Sequence, residues 1–183
     1  MRKKICTEHV IFSALLCIAH LWGQQALARD SLRDLLITYR CEVVRRLERI
    51  YAAGDPTSDR DRFIAITVPG RAQAYVQCLL HDKNTGIYCE AASGFWFDEP
   101  GKPRTFYHPR DAIAALARLG FNTDDSAENF SVDRDLATPP DFNALADFIL
   151  RTLHDGYGAR DTMRLEFNAP FAPDKPTSCI PLG

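Results

Sequence analysis

The sequence predicts an α+β fold: an antiparallel sheet of about five strands, a three-strand meander first, with about three helices packed on it in the order α-β-β-β-α-β-α-β. Two observations carry this. Residues 62–92 contain three β-type runs, RFIAITVPG, RAQAYVQCLL and IYCEAA, separated by turn residues. On either side of them, apolar residues recur at intervals of three and four, the spacing of one helix face.

The first helix is expected over residues 31–53. Leu32, Leu35, Leu36, Tyr39, Val43, Leu47, Ile50 and Tyr51 form its apolar stripe, and Gly54 closes it. Arg33, Arg40, Arg45, Arg46 and Arg49, interleaved with Glu42 and Glu48, are expected to form a solvated face rather than a site for an acidic partner. Residues 55–59 then lead into the meander. In its first strand Phe63, Ala65 and Thr67 share one face, while Ile64, Ile66 and Val68 share the more apolar other. Pro69-Gly70 breaks that run. Asp82-Lys83-Asn84-Thr85-Gly86 turns the second strand onto the third, and a pairing centred on Lys83 and Asn84 sets Cys78 opposite Cys89.

Directly after the third run comes SGFWFDEPGKP, the most unusual local composition in the chain. Phe95, Trp96 and Phe97, with Tyr107 further on, form a candidate aromatic surface for gripping a peptide, because such side chains give large contact area at small entropic cost. The alternative is that they continue the strand and fill the core. A helix follows, with Pro109 in its first turn and Gly120 as terminator; its alanines at 112, 114, 115 and 117 permit close packing. Residues 129–132 read as a short strand. Thr138-Pro139 marks the start of the last helix, whose stripe is Phe142, Leu145, Ala146, Ile149, Leu150 and Leu153 and which ends near Gly156. Residues 162–168 alternate as a final strand. The tail from 169 to 183 holds four prolines and is expected to be extended, held only through Cys179.

Arg2, Lys3 and Lys4 precede an apolar run from Val10 to Trp22, and Ala26-Leu27-Ala28 resembles a cleavage site. Residues 1–28 are therefore expected to be a secretory signal peptide, with a single domain at 29–168 and a Pro-rich tail at 169–183. The apolar run is too short for the roughly 20 residues that cross a bilayer, so no membrane attachment is expected after cleavage. Of the 22 basic and 24 acidic residues in the chain, the leader holds three and one, leaving 19 against 23 and a net charge of −4. Such a balance argues against a nucleic-acid partner, which needs clustered positive charge. Cys41, Cys78, Cys89 and Cys179 remain after cleavage, an even number suited to an oxidising compartment, periplasmic or secreted. Three connectivities are open; the favoured one joins Cys78 to Cys89 across the hairpin and leaves Cys41 with Cys179. A CxxC pair or nearby His at ligand spacing is missing, so no metal site is expected.

The chain contains no GxSxG, HExxH, P-loop or GxGxxG motif. His81, His108 and His154 are scattered, and each is expected to be a surface or helix-capping residue. Asp98-Glu99 and Asp124-Asp125 are expected to be solvated loop carboxylates. No catalytic residue and no cofactor is therefore assigned.

Several short stretches resemble a known family: Tyr75-Val76-Gln77, Glu90-Ala91 with Ser93, Leu119-Gly120-Phe121, Asn129-Phe130 and Tyr157-Gly158. In this order, from Arg29 to Gly158, the chain is similar to the TY-Chap amino-terminal domain and to type III secretion chaperone-like folds. The resemblance implies a sheet and helices that hold an extended partner segment without hydrolysing it, and it supplies no catalytic residues. The expectation is thus an exported, non-enzymatic domain that binds a protein or peptide, with a homodimer as a possible form. The alternatives are a small periplasmic hydrolase built around His108 or His154, or an envelope structural or stress protein without a dedicated ligand.

Overall fold

The computed structural model describes residues 31–57, 60–98, 102–103, 105–124, 126 and 128–176. The expected leader and Cys179 lie outside these. Helix α1 covers residues 31–52. It is followed by β1 (Phe63–Thr67), β2 (Tyr75–His81), β3 (Gly86–Ala91), α2 (Arg110–Arg118), β4 (Phe130–Asp135), α3 (Phe142–Tyr157) and β5 (Glu166–Asn168). The five strands form one antiparallel sheet in the order β4-β3-β2-β1-β5, so the expected α+β architecture and element order hold.

The meander follows from its turns. Asp82, Lys83 and Asn84 all take positive φ, at 47°, 58° and 72°, in a tight turn between His81 and Gly86. That turn fixes the β2–β3 register, and Cys78 pairs with Cys89 as expected. The two sulfurs are bonded, with their Cα atoms 4.1 Å apart, and both cysteines lie buried on the inner face. On the opposite face Gly86 leaves room for the His81 ring, which a Cβ on it would approach to 2.4 Å.

The core is a single layer of contact between sheet and helices. Ile64, Ile66, Val76, Cys78, Leu80, Ile87 and Cys89 point inward and meet Leu35, Val43, Leu47 and Ile50 of α1 and Leu145, Ala146, Ile149, Leu150 and Leu153 of α3. Strand alternation in β1 and β2 is complete, every second side chain being buried. Arg62 is 1% exposed, and its guanidinium donates to the carbonyls of Ile50, Tyr51 and Ala53, closing the C-terminal end of α1.

Several expectations are corrected. The cationic face of α1 is not uniformly solvated: Arg46 is 3% exposed and pairs with buried Glu42, while Arg40 holds Asp147 of α3 through two hydrogen bonds of 2.5 and 2.6 Å. Arg46 also stacks on Phe167 and donates to the carbonyls of Ala172 and Pro173, so the start of the tail is fastened by a side chain of α1. Cys41 is disulfide-bonded. Strand β4 runs to Asp135, past the expected end, because its charged residues sit at a sheet edge where water covers them. Asp141, not Thr138, caps α3, accepting from the Ala144 amide at 3.0 Å. Gly156 lies inside that helix, where a Cβ would come 2.7 Å from Leu116 of α2, and Gly158 at φ +66° ends it. The final strand is shorter than expected, Glu166–Asn168 only.

Candidate functional site

At the end of β3 the chain leaves the sheet. Gly94, at φ +85°, turns it sharply, and a Cβ there would meet Phe106 at 2.5 Å. The Ser93 hydroxyl accepts from the Phe95 amide and donates to the Glu128 carbonyl, which ties the turn to the loop before β4. A short 3-10 turn at Phe95–Phe97 results. The aromatics therefore do not continue the strand into the core: Trp96 is 61% exposed, Phe97 48% and Tyr107 63%, while Phe95 is half-buried with its ring edge-on to Trp96. Asp98 closes the loop by accepting from the Thr105 amide and hydroxyl at 2.6 and 2.5 Å.

From this surface a run of ring contacts leads inward. Phe97 packs on Phe106, Phe106 on His108, and His108 on both Tyr157 and Phe130. Tyr157 donates to the Ala92 carbonyl at 2.7 Å, and burial pushes its hydroxyl pKa far up, so it acts as a fixed donor. His108 and Tyr157 form part of an open cleft of about 500 Å³ between the β1–β2 connection, the start of α2 and the end of α3. Arg71, Arg160, Asp111 and Asp155 place charges of both signs on its walls. Arg71 reaches over Gly158, whose missing side chain makes the space. The expected aromatic residues do not line the cleft themselves; Phe97 connects to it through the rings of Phe106 and His108. Spacing did not reveal the cleft, since its walls come from three separate segments; only the glycines at 156 and 158 hinted at close packing there.

His154 is buried, not a surface residue: it is 6% exposed, with Nε2 3.2 Å from Ser31 Oγ and Nδ1 2.6 Å from Asp155. A hydroxyl, an imidazole and a carboxylate are in contact, yet Ser31 is not among the residues that line the cleft. The contact links the start of the described part of α1 to the end of α3. His108 is likewise buried. Asp124 sits in a solvated turn, where the Ser126 hydroxyl and amide lower its pKa, and no cluster of potential metal ligands occurs among the described residues.

A helix layer on one face of a five-stranded antiparallel sheet makes this an α+β domain with a cleft at one end of its helices. Residues 41–171 match a family model described as TY-Chap3: T3SS (YopN, CesT) and YbjN peptide-binding chaperone 3, and the chain belongs to this family. The match reaches beyond Gly158 to include β5, which the short-motif resemblance leaves out. No curated protein and no solved structure matches the chain.

Proposed function

We propose that this chain is an exported, non-enzymatic chaperone-like domain that holds an extended segment of another protein against the aromatic loop, through Phe95, Trp96, Phe97 and Tyr107. The observation that carries the reading is the exposure of three large rings on a loop pinned at both ends, a costly arrangement for a surface with nothing to bind. Family membership supports a polypeptide partner. The charged, apolar and small-residue stretches of residues 1–28 and the disulfide under the sheet support export to the periplasm or beyond.

The test places a photo-reactive phenylalanine analogue at position 107 of the full chain in the exporting cell. Crosslinks to an extended segment of a partner, lost on Trp96→Ala in a folded protein, are the expected result; a chain that remains uncrosslinked and monomeric overturns the reading. The Ser31, His154 and Asp155 contact favours a second reading, a hydrolase that uses Ser31. Covalent labelling by a fluorophosphonate, abolished by Ser31→Ala, would establish it, and binding without labelling dismisses it.

A further inference from the structure

We infer that the outward face of the sheet is a second docking surface, fitted to an extended segment whose sheet-facing side chains are basic at both ends and apolar between. The inference rests on the proposed function only in taking the partner to be a polypeptide; the position and the selectivity come from the sheet itself.

Helices α1 and α3 pack on the inner face, and α2 packs against α3. On the outward face, Phe63, Leu79 and Tyr88 lie side by side across β1, β2 and β3, each only half-buried. The charge there is one-sided. Asp133 and Asp135 stand outward on β4, Glu166 on β5 and Glu90 on β3. Among the described strand residues the single basic group facing outward is His81, already held between Asp133 at 2.8 Å and Asp82 at 3.1 Å. Arg134 turns the other way and stacks on Phe148. Carboxylates at a sheet edge serve to block edge pairing, but Glu90 sits on an interior strand with no edge to guard.

The spacing also fits. From Asp133 on β4 to Glu166 on β5 are four strand steps of about 4.8 Å and, by the register, four residues along the strands at about 3.3 Å each, about 23 Å on the diagonal, which roughly seven extended residues span. A segment crossing the strands on this diagonal sets its terminal Lys or Arg beside Asp133 and Glu166, with its central apolar side chains beside Tyr88 and Leu79.

The test uses the purified, oxidised protein and two capped, fluorescein-labelled peptides, Lys-Thr-Val-Thr-Leu-Thr-Lys and the same sequence with Glu at both ends. Fluorescence anisotropy at low and high salt reads affinity, and amide NMR shifts locate the contact. The basic peptide is expected to bind about tenfold more tightly than the acidic one at low salt, with shifts in β1 to β4, and the triple variant Glu90→Gln/Asp133→Asn/Glu166→Gln to lose about tenfold while keeping its fold. Equal affinity for the two peptides overturns the inference, as does a dimer that covers this face. Shifts confined to the loop around Trp96 overturn it too, while leaving the proposed function standing. If position 107 also yields no crosslinked partner, both fall.

Discussion

The β2–β3 hairpin and the loop that follows it are neighbours in the chain, each carrying large apolar side chains around a tight turn, but they treat those side chains in opposite ways. The hairpin buries Val76, Cys78, Leu80, Ile87 and Cys89 and joins its two strands by a disulfide. The loop is pinned by hydrogen bonds, through Ser93 and Asp98, yet it holds Trp96, Phe97 and Tyr107 in water. In the first region order serves stability. In the second the same investment in order presents a surface, and this separation is what a binding domain needs.

Four measurements break or sharpen that contrast. The largest effect is expected from Cys78→Ala/Cys89→Ala, which opens a link between residues 11 apart in sequence under the helices and should cost about 3 kcal/mol in urea unfolding. Partner capture by the folded fraction should persist. Next, Gly94→Ala combines a backbone angle that side chains disfavour with a clash against Phe106, so it should cost about 1–2 kcal/mol and weaken capture as well. Trp96→Ala should leave stability within about 0.5 kcal/mol and weaken partner binding by roughly tenfold, measurable by calorimetry against the crosslinked partner's segment. A substantial loss of stability in that variant would place the ring in the scaffold instead.

The smallest effect concerns His81, which bridges β2 to β4 across Gly86. Burial by itself lowers its pKa, but the Asp133 and Asp82 carboxylates outweigh it, and the net shift is upward. A raised folded pKa means that the contribution is fully present below about pH 6.5, the ordinary histidine value, and is lost as pH rises through the folded value. Thermal unfolding should therefore show slightly higher stability at pH 5.5 than at pH 8.5 from this pair, and Asp133→Asn should flatten that difference. A difference left intact by the substitution assigns it to another group.

Much of the scaffold was legible in the chain because its signals are local. The turn residues at 82–86 set the hairpin register and with it the cysteine pair, and the apolar stripes of the first and last helices matched the buried faces of α1 and α3. The proposed binding surface was less legible. Phe95-Trp96-Phe97 has the composition of both a buried strand and an exposed grip, and the choice depends on Gly94 turning the chain and on Ser93 and Asn129 holding that turn from another part of the fold. Arg46 reads as a surface cation from its helix position, but the tail crosses above it.

The amino-acid order alone thus determined the class of fold, the hairpin register and the residues that make up the inner face, since hydrophobic period and turn chemistry act between near neighbours. The tertiary structure alone decided the outward turn of the aromatic loop, the cleft beside it, the burial of Glu42 with Arg46 and the one-sided charge of the outer sheet face. Each of these depends on groups far apart in sequence, and their meeting is set by packing that no local pattern encodes.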